Sequence, residues 1–373
     1  MRTLFLFDMD GVLLTPMGYH TSLRTSVRRI GLALGAPNTE LHHEEIAKFE
    51  ALGVTNEWDS LAICTAVVLL HLWKFDTTIR LKGLKPCAKR VAENAPDFAA
   101  FLASFNNTGD LPGHAAYQQI VADLPWLDDA QRGHLREILH NCRDIYTSPT
   151  LPGYQETVLG SETFQQNYGL DPQLHIESYL LKHDQPVMTS EQVTDLLAWL
   201  SIPENAASIL TNRPCRTPEG YLSSPEAEIG AKLVGFENLP MLGSGMLAWF
   251  AVTQRQLPDH TFLKPNPVHA LGLMQMILGQ RPEAALVKAT DLFLGKSPAS
   301  DWSELDGAKV VIFEDAAKGL KCGMAARDLL LQLGIKINLS LIGVTVNPDK
   351  RHALQGLADR IFPDINQIDW NEF

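Results

Sequence analysis

Two apolar segments that each run straight into paired carboxylates constrain this chain more than anything else in it. Near the start, FLFDMDGVLL (5–14) carries a short apolar run into Asp8, with Asp10 two residues on and Gly11 behind it. Far downstream, VVIFED (310–315) ends in Glu314 and Asp315, ahead of the small-residue stretch AAKGLKCGMAA. Short continuous apolar runs bounded by polar or turn residues suit strands of a parallel sheet buried on both faces. In an open α/β sheet, ligands bind beyond the carboxyl ends of the strands. If both strands are parallel and central, four carboxylates converge at one edge. Asp10 falls on the same side as Asp8 if the extended geometry persists, and Gly11 permits a sharp turn close to a ligand. Taken alone, DxDG also fits a surface turn after an edge strand; the second carboxylate-ended segment is what favours a site. Carboxylates this close repel unless a metal or a shared proton compensates. Oxygen-only ligands select Mg²⁺ over zinc or copper.

Further strand-like runs lie at 207–210, 262–263, 309–313, 339–346 and 360–362, with helical patterns at 226–233, 268–278 and 316–333 between them. Alternating strand and helix predicts an α/β fold, a doubly wound, Rossmann-like layer structure on a parallel sheet. The long stretch after the first strand reads differently. It has helical periodicity and helix starts at Asn56 before 57–74, Pro86 before 87–94 and Asp128 before 129–142. The expected organisation is a core formed by 1–15 and 191–373, with a helical domain, 16–190, inserted after the first strand.

Composition narrows the function classes. In 373 residues, 45% hydrophobic and 20% charged content is ordinary for a globular chain. The formal net charge of −12 repels phosphate backbones, so nucleic acid is not an expected partner. The five cysteines are scattered, without a CxxC or a Cys/His cluster, which argues against disulfides and zinc and for buried thiols in a reducing compartment. The N-terminal apolar run is too short for a signal-peptide core. The longest apolar run, LAICTAVVLLHLW (61–73), is about 13 residues against the ~20 a bilayer needs. It reads as a buried helix, and the chain as soluble and cytoplasmic, with no membrane partner.

Two more segments complete a candidate site. ASILTNR brings Thr211 to a strand end, with a hydroxyl and an N–H for a phosphate oxygen, and Asn212 beside it. FLKPNP places Lys264 after another apolar pair, with Pro265 and Pro267 stiffening the chain around it. Each alone also reads as a polar turn or a solvated loop. Together with the carboxylates, they would supply the donors and the positive charge that a phosphate requires.

In order and context, DMDG at 8–11, Thr211-Asn212, Lys264 and Glu314-Asp315 resemble the motifs of the haloacid dehalogenase superfamily. The resemblance covers about half the chain. The helical insert directly after the first motif resembles the C1-type cap of the branch containing β-phosphoglucomutase and phosphoglycolate phosphatase, as does the Glu-Asp pair followed by small residues and Gly319. GVTNEWD at 53–59 looks like a cap segment of some members. The insert is longer than a typical C1 cap.

The resemblance implies a Mg²⁺-dependent phosphatase acting on a small phosphorylated metabolite. Asp8 would be the nucleophile and Asp10 the general acid and base. Gly11, Thr211, Asn212 and Lys264 would contact the phosphate, with a helix beginning near Asn212 adding its dipole. Mg²⁺ would be held by Asp8, the backbone carbonyl of Asp10, and Asp315, with Glu314 as a ligand or behind one. Asp10 favours phosphate-ester chemistry, since dehalogenases and phosphonate hydrolases of the superfamily lack it. A sugar phosphomutase uses the same core, and a silent binding protein keeps the fold alone.

Other features read as ordinary structure. LHHEEIAK (41–48) lacks the HExxH spacing of zinc proteases and suits a solvated helix. No serine lies in a G-x-S-x-G elbow. Trp58, Trp73, Trp126, Trp199 and Trp249 are not interleaved with basic residues and suit packing. Arg28 and Arg29 suit the surface of the first inserted helix.

Overall fold

The N-terminal apolar run forms β1, Thr3–Phe7, buried along its whole length. The computed structural model describes every residue except Met1, Ala88, Arg90 and Asp110. The chain divides into two compact units, Met1–Pro16 with Asp184–Phe373, and Met17–His183. The strands of the first unit are β1, β2 (Leu14–Thr15), β3 (Gln185–Pro186), β4 (Asn205–Leu210), β5 (Met241–Leu242), β6 (Lys309–Glu314), β7 (Asn338–Val344) and β8 (Arg360–Phe362). Six of them form one parallel sheet in the order β5-β4-β1-β6-β7-β8. The architecture is therefore the α/β, doubly wound one. From β1 the strand order runs one way to β4 and β5 and the other way to β6, β7 and β8, the kind of reversal that opens a crevice at the carboxyl edge.

Both faces of the sheet are covered, which is why its strands read as continuous apolar runs rather than alternating ones. Phe5 stacks on Trp199 at 3.8 Å and Phe7 on Phe313 at 4.7 Å, with Trp370 edge-on to Phe7 and Phe313. Leu4 and Leu6 are equally buried on the opposite face. Each fully buried apolar side chain of this size is worth about 1.5–3 kcal/mol. Helix Ser190–Leu200 is capped by Thr189, and helix Pro267–Ile277 opens on Asn266, whose side chain accepts from the Val268 N–H.

The helical unit contains the long helices Met17–Leu34, Glu57–Leu72 and Asp129–His140, the last started by a capping box between Asp128 and Gln131. The apolar run at 61–73 lies buried within and just beyond Glu57–Leu72. Among the described residues, no helix is long and apolar enough to cross a membrane.

Several local expectations differ from the structure. Residues 262–263 are not a strand. The chain there makes successive turns, Thr261 N–H to Pro258, Leu263 N–H to His260 and Asn266 N–H to Leu263, between prolines that cannot join a ladder. No helix starts near Asn212; the first one after β4 is Glu226–Leu233. The described residues of 87–94 are bends and coil, with Ala88 and Arg90 outside the described set. β5 went unnoticed because two residues carry no period. The chain returns to the first unit at Asp184, ahead of the expected 191, because Gln185–Pro186 pairs antiparallel with Leu14–Thr15. Cys87 and Trp126 are exposed rather than packed. Arg29 is half-buried and donates to the Thr157 hydroxyl at 2.8 Å, while Arg28 is exposed.

Candidate functional site

Strand register brings the two carboxylate-ended segments level. Phe7 pairs with Phe313 across β1 and β6, and the Asp8 N–H donates to the Phe313 carbonyl at 2.9 Å. Asp8 and Glu314 therefore leave the sheet side by side, and Asp315 follows. Phe7 also pairs with Ile209 of β4, so Thr211 and Asn212 leave the same edge one strand over.

A cleft of about 250 Å³ opens there, lined by Asp8, Asp10, Gly11, Asn212, Lys264, Glu314, Asp315, Lys318 and Lys350 among others. Lys264 Nζ lies 2.7 Å from Asp8 Oδ1 and 2.5 Å from Glu314 Oε1, and all three residues are buried. Lys350 pairs with Asp315 from helix Pro348–Leu354. Two glycines make this closeness possible. Gly11 has φ +85°, and a Cβ there would overlap the Asp315 carboxylate; a Cβ at Gly319 would overlap Glu314.

A larger hollow of about 580 Å³ lies between helix Ser190–Leu200 and the C-terminal segment. Among the described residues its lining includes Asp195 and Asp369 and no lysine or arginine, so it offers an anion no positive charge.

The electrostatics of the cleft are those of a crowded anionic site. Burial, assisted by Asp315 and Asp10 and opposed by Lys264, raises the Asp8 carboxyl to about 6. Burial and the Asp8 charge push Glu314 up as well, against the pull of Lys264. Burial disfavours the Lys264 ammonium, yet Asp8 and Glu314 outweigh it and hold its proton well above the usual lysine range.

Asp8, Glu314 and Asp315 each offer an oxygen, and these oxygens lie within 4.8 Å of one another. Three carboxylates face two ammonium groups, those of Lys264 and Lys350. Lys318 lines the cleft as well, without an ion pair to the three acids; their donor set is all oxygen and buried, and it fits a hard divalent cation such as Mg²⁺. Glu314 has both oxygens engaged, Oε1 by Lys264 and Oε2 by the Ala316 N–H at 3.3 Å, whereas the lysine contacts of Asp8 and Asp315 each engage one oxygen.

Two expected site residues sit differently. Thr211 is fully buried, its N–H donates to the Leu242 carbonyl at 3.3 Å, and its hydroxyl accepts from the Arg213 N–H at 3.1 Å. Its N–H is thus spent on β5 and not left for a phosphate. The Asp10 carboxylate stands outside the three-carboxylate cluster and turns to Arg213, whose Nε lies 2.9 and 3.1 Å from its two oxygens. Sequence reasoning overlooked Arg213, Asp184 and Lys350. The one signal for Arg213 was its place directly after Thr211-Asn212; Asp184 and Lys350 carried none.

No protein-family model matches the chain, and no curated protein matches it in sequence. Among solved structures it is similar to a Northeast Structural Genomics Consortium target determined by X-ray, with a TM-score of 0.68 at 16% identity, over 98% of this chain and 97% of that one. At that identity the likeness shows a shared fold. Matches also include phosphatase Tt82 from Thermococcus thioreducens (TM-score 0.45, 13% identity, 95% of this chain and 100% of that one) and a hydrolase from Pseudomonas syringae (TM-score 0.29, 13% identity, 98% and 94%). These two superpose too loosely to bear on what this chain does.

Proposed function

We propose that this chain is a Mg²⁺-dependent phosphatase of the haloacid dehalogenase type, in the C1-capped branch, acting on a small phosphorylated metabolite. The observation that carries the reading is Asp8 at the end of the central strand, 2.7 Å from the Lys264 ammonium and level with Glu314 on the adjacent strand, facing a cleft that Asp10 also lines. A carboxylate needs no base to become a nucleophile at neutral pH. Asp8 attacks phosphorus, the bond to the ester oxygen breaks, and that oxygen takes a proton from the Asp10 carboxyl. Asp10 then takes a proton from water as the water oxygen attacks phosphorus, and the Asp8–phosphorus bond breaks to release phosphate. Lys264 steadies Asp8 and draws the phosphoryl group in; Asn212 supplies a further polar contact, and Thr211 orders the loop behind it.

Asp8, Asp315 and the Asp10 main-chain carbonyl would hold Mg²⁺, with Glu314 behind them through Lys264. The ion would neutralise charge on the transferring group. In the C1-capped branch the inserted helical unit is a cap, and its role here would be to exclude bulk water and large substrates. The reading is tested by phosphate release from p-nitrophenyl phosphate and a panel of sugar and organic-acid phosphates, with Mg²⁺, with EDTA, and with Asp8→Asn. Turnover that needs Mg²⁺ and vanishes in Asp8→Asn is expected. No release from any ester by folded, Mg²⁺-loaded protein would overturn it.

A further inference from the structure

Arg213 is 2% exposed, although it sits in the loop that leaves β4. Its Nε reaches both oxygens of Asp10, and its Nη2 lies 2.5 Å from Asp10 Oδ1 and 2.8 Å from Asp184 Oδ2. The Asp184 side chain is fully buried, whereas that of Asp10 is 35% exposed and lines the cleft. The arginine is held from its main chain as well. Its N–H donates to Thr211 Oγ1, and its carbonyl accepts from the Ser244 N–H at 2.9 Å. Gly230 leaves the room: a Cβ there would stand 3.2 Å from Arg213 Nη1 and overlap Met9.

A planar guanidinium takes a carboxylate edge-on with two donors and fixes its orientation, which a lysine does not. Asp184 anchors that guanidinium from the buried side. It also begins the segment whose strand β3 pairs with β2, four residues beyond Asp10. The loop carrying Asp10 is thereby closed on itself through Arg213.

We propose that Arg213 is a positioning residue for Asp10, with Asp184 as its buried anchor. The clamp holds one face of the Asp10 carboxylate so that the other meets the leaving oxygen of the substrate. This inference rests on the phosphotransfer reading. A bridge built only for stability has no need to leave one of its carboxylates open to the cleft beside Asp8 and Lys264.

The test is the double variant Arg213→Met/Asp184→Asn, which removes the cation and its buried anchor together and strands no buried charge beside Asp184. Its crystal structure should show the Asp10 carboxylate moved, while titration of Mg²⁺ alone gives an unchanged affinity. A shift of about 1 Å in a reacting group costs about 100-fold, and that loss is expected in kcat for glycerol 2-phosphate with little change in KM. The first-turnover release of p-nitrophenolate should slow by less than about 10-fold, since nitrophenolate departs without a proton and before the step in which Asp10 acts as a base. In an Asp10→Asn background the double change should cost nothing more. An unmoved Asp10, or a first-turnover release of p-nitrophenolate slowed as much as the turnover of glycerol 2-phosphate, would overturn the clamp. Should the double variant fail to fold, Arg213→Lys decides: it keeps the charge and loses the fork, and undiminished turnover of glycerol 2-phosphate refutes the proposal. A wild type that cleaves neither ester would overturn the phosphatase reading alone, and the position of Asp10 in the variant crystal would still decide the clamp.

Discussion

In the helical unit, Asp59 and Glu156 are each 1% exposed, and partners within that unit engage both. Arg143 and the Cys142 thiol meet Asp59, with the nearest guanidinium nitrogen at 2.8 Å. Glu156 accepts from the Ser161 hydroxyl and from the N–H groups of Gln173, Leu174 and His175. In the α/β unit, Asp8, Glu314 and Asp315 are also buried, but they crowd one another, share Lys264 and Lys350 as direct partners, and line a cleft. Burying a charge is costly unless it is paired and hydrogen-bonded. Asp59 is paired with Arg143 and Glu156 is held by four donors, so these two buried acids read as framework. The α/β unit crowds three carboxylates onto two directly bonded lysines at the edge of its sheet, where a ligand can complete the balance.

The largest effect on this contrast between the two units is expected from Lys264→Met. It leaves Asp8 and Glu314 buried without their cation, and removing one partner of a buried pair costs about 3–5 kcal/mol. Denaturant unfolding should show that loss in metal-free protein, with part of it recovered on adding Mg²⁺. A loss below about 1 kcal/mol would mean the pair is not buried as described.

Glu156→Gln should be smaller and of another kind. Replacing an acceptor of several main-chain N–H groups costs about 1–3 kcal/mol, read by unfolding, while turnover per folded molecule stays at the wild-type level. A matching loss of turnover would give Glu156 a part in the chemistry.

His269 provides a pH test inside the α/β unit. It is fully buried with Nε2 against the Leu242 carbonyl at 3.0 Å, and burial, with the Lys264 charge, lowers it from 6.5 to about 3. Above pH 6.5 the ring is neutral in both folded and unfolded states and contributes nothing. Between 6.5 and 3 only the unfolded chain gains the proton, so the ring's own contribution falls as pH falls, by about 2 kcal/mol at pH 5, opposite in sign to that of the raised carboxyls of Asp8 and Glu314. His269→Gln should remove that contribution; a slope unchanged from wild type would show that His269 does not make it. The smallest effect is expected at exposed Arg28, where Arg28→Ala should change stability by less than about 0.5 kcal/mol and leave turnover unaltered. A large loss of turnover would place part of the site on the first inserted helix.

What could be seen in the sequence follows the same physics. β1 and β6 are visible because a doubly covered strand must be apolar throughout, and each ends at clustered carboxylates, which a core tolerates only when they are partnered. Asp8, Lys264, Glu314 and Asp315 were therefore legible as a set, and register alone then sets them level. Arg213, Asp184 and Lys350 were not, because a single charged residue in a loop reads the same whether it is solvated or folded back onto a partner. The pair 262–263 was misread for the converse reason: two apolar residues look like a strand until the prolines around them are given their geometry. The helix expected at 87–94 leaned on Pro86 as a start signal without an apolar stripe to dock. β5 is two residues long, and its pairing with Ile209 and Leu210 exists only once the sheet has formed.

The central claim, that Asp8 is the group to which phosphorus is transferred, is tested most directly by stopping the reaction in mid-turnover with acid and weighing the peptide that contains residue 8. With p-nitrophenyl phosphate and Mg²⁺, a phosphoryl adduct on Asp8 is expected within one turnover, and none with EDTA. Turnover without such an adduct, or with the adduct on any other residue, would contradict it.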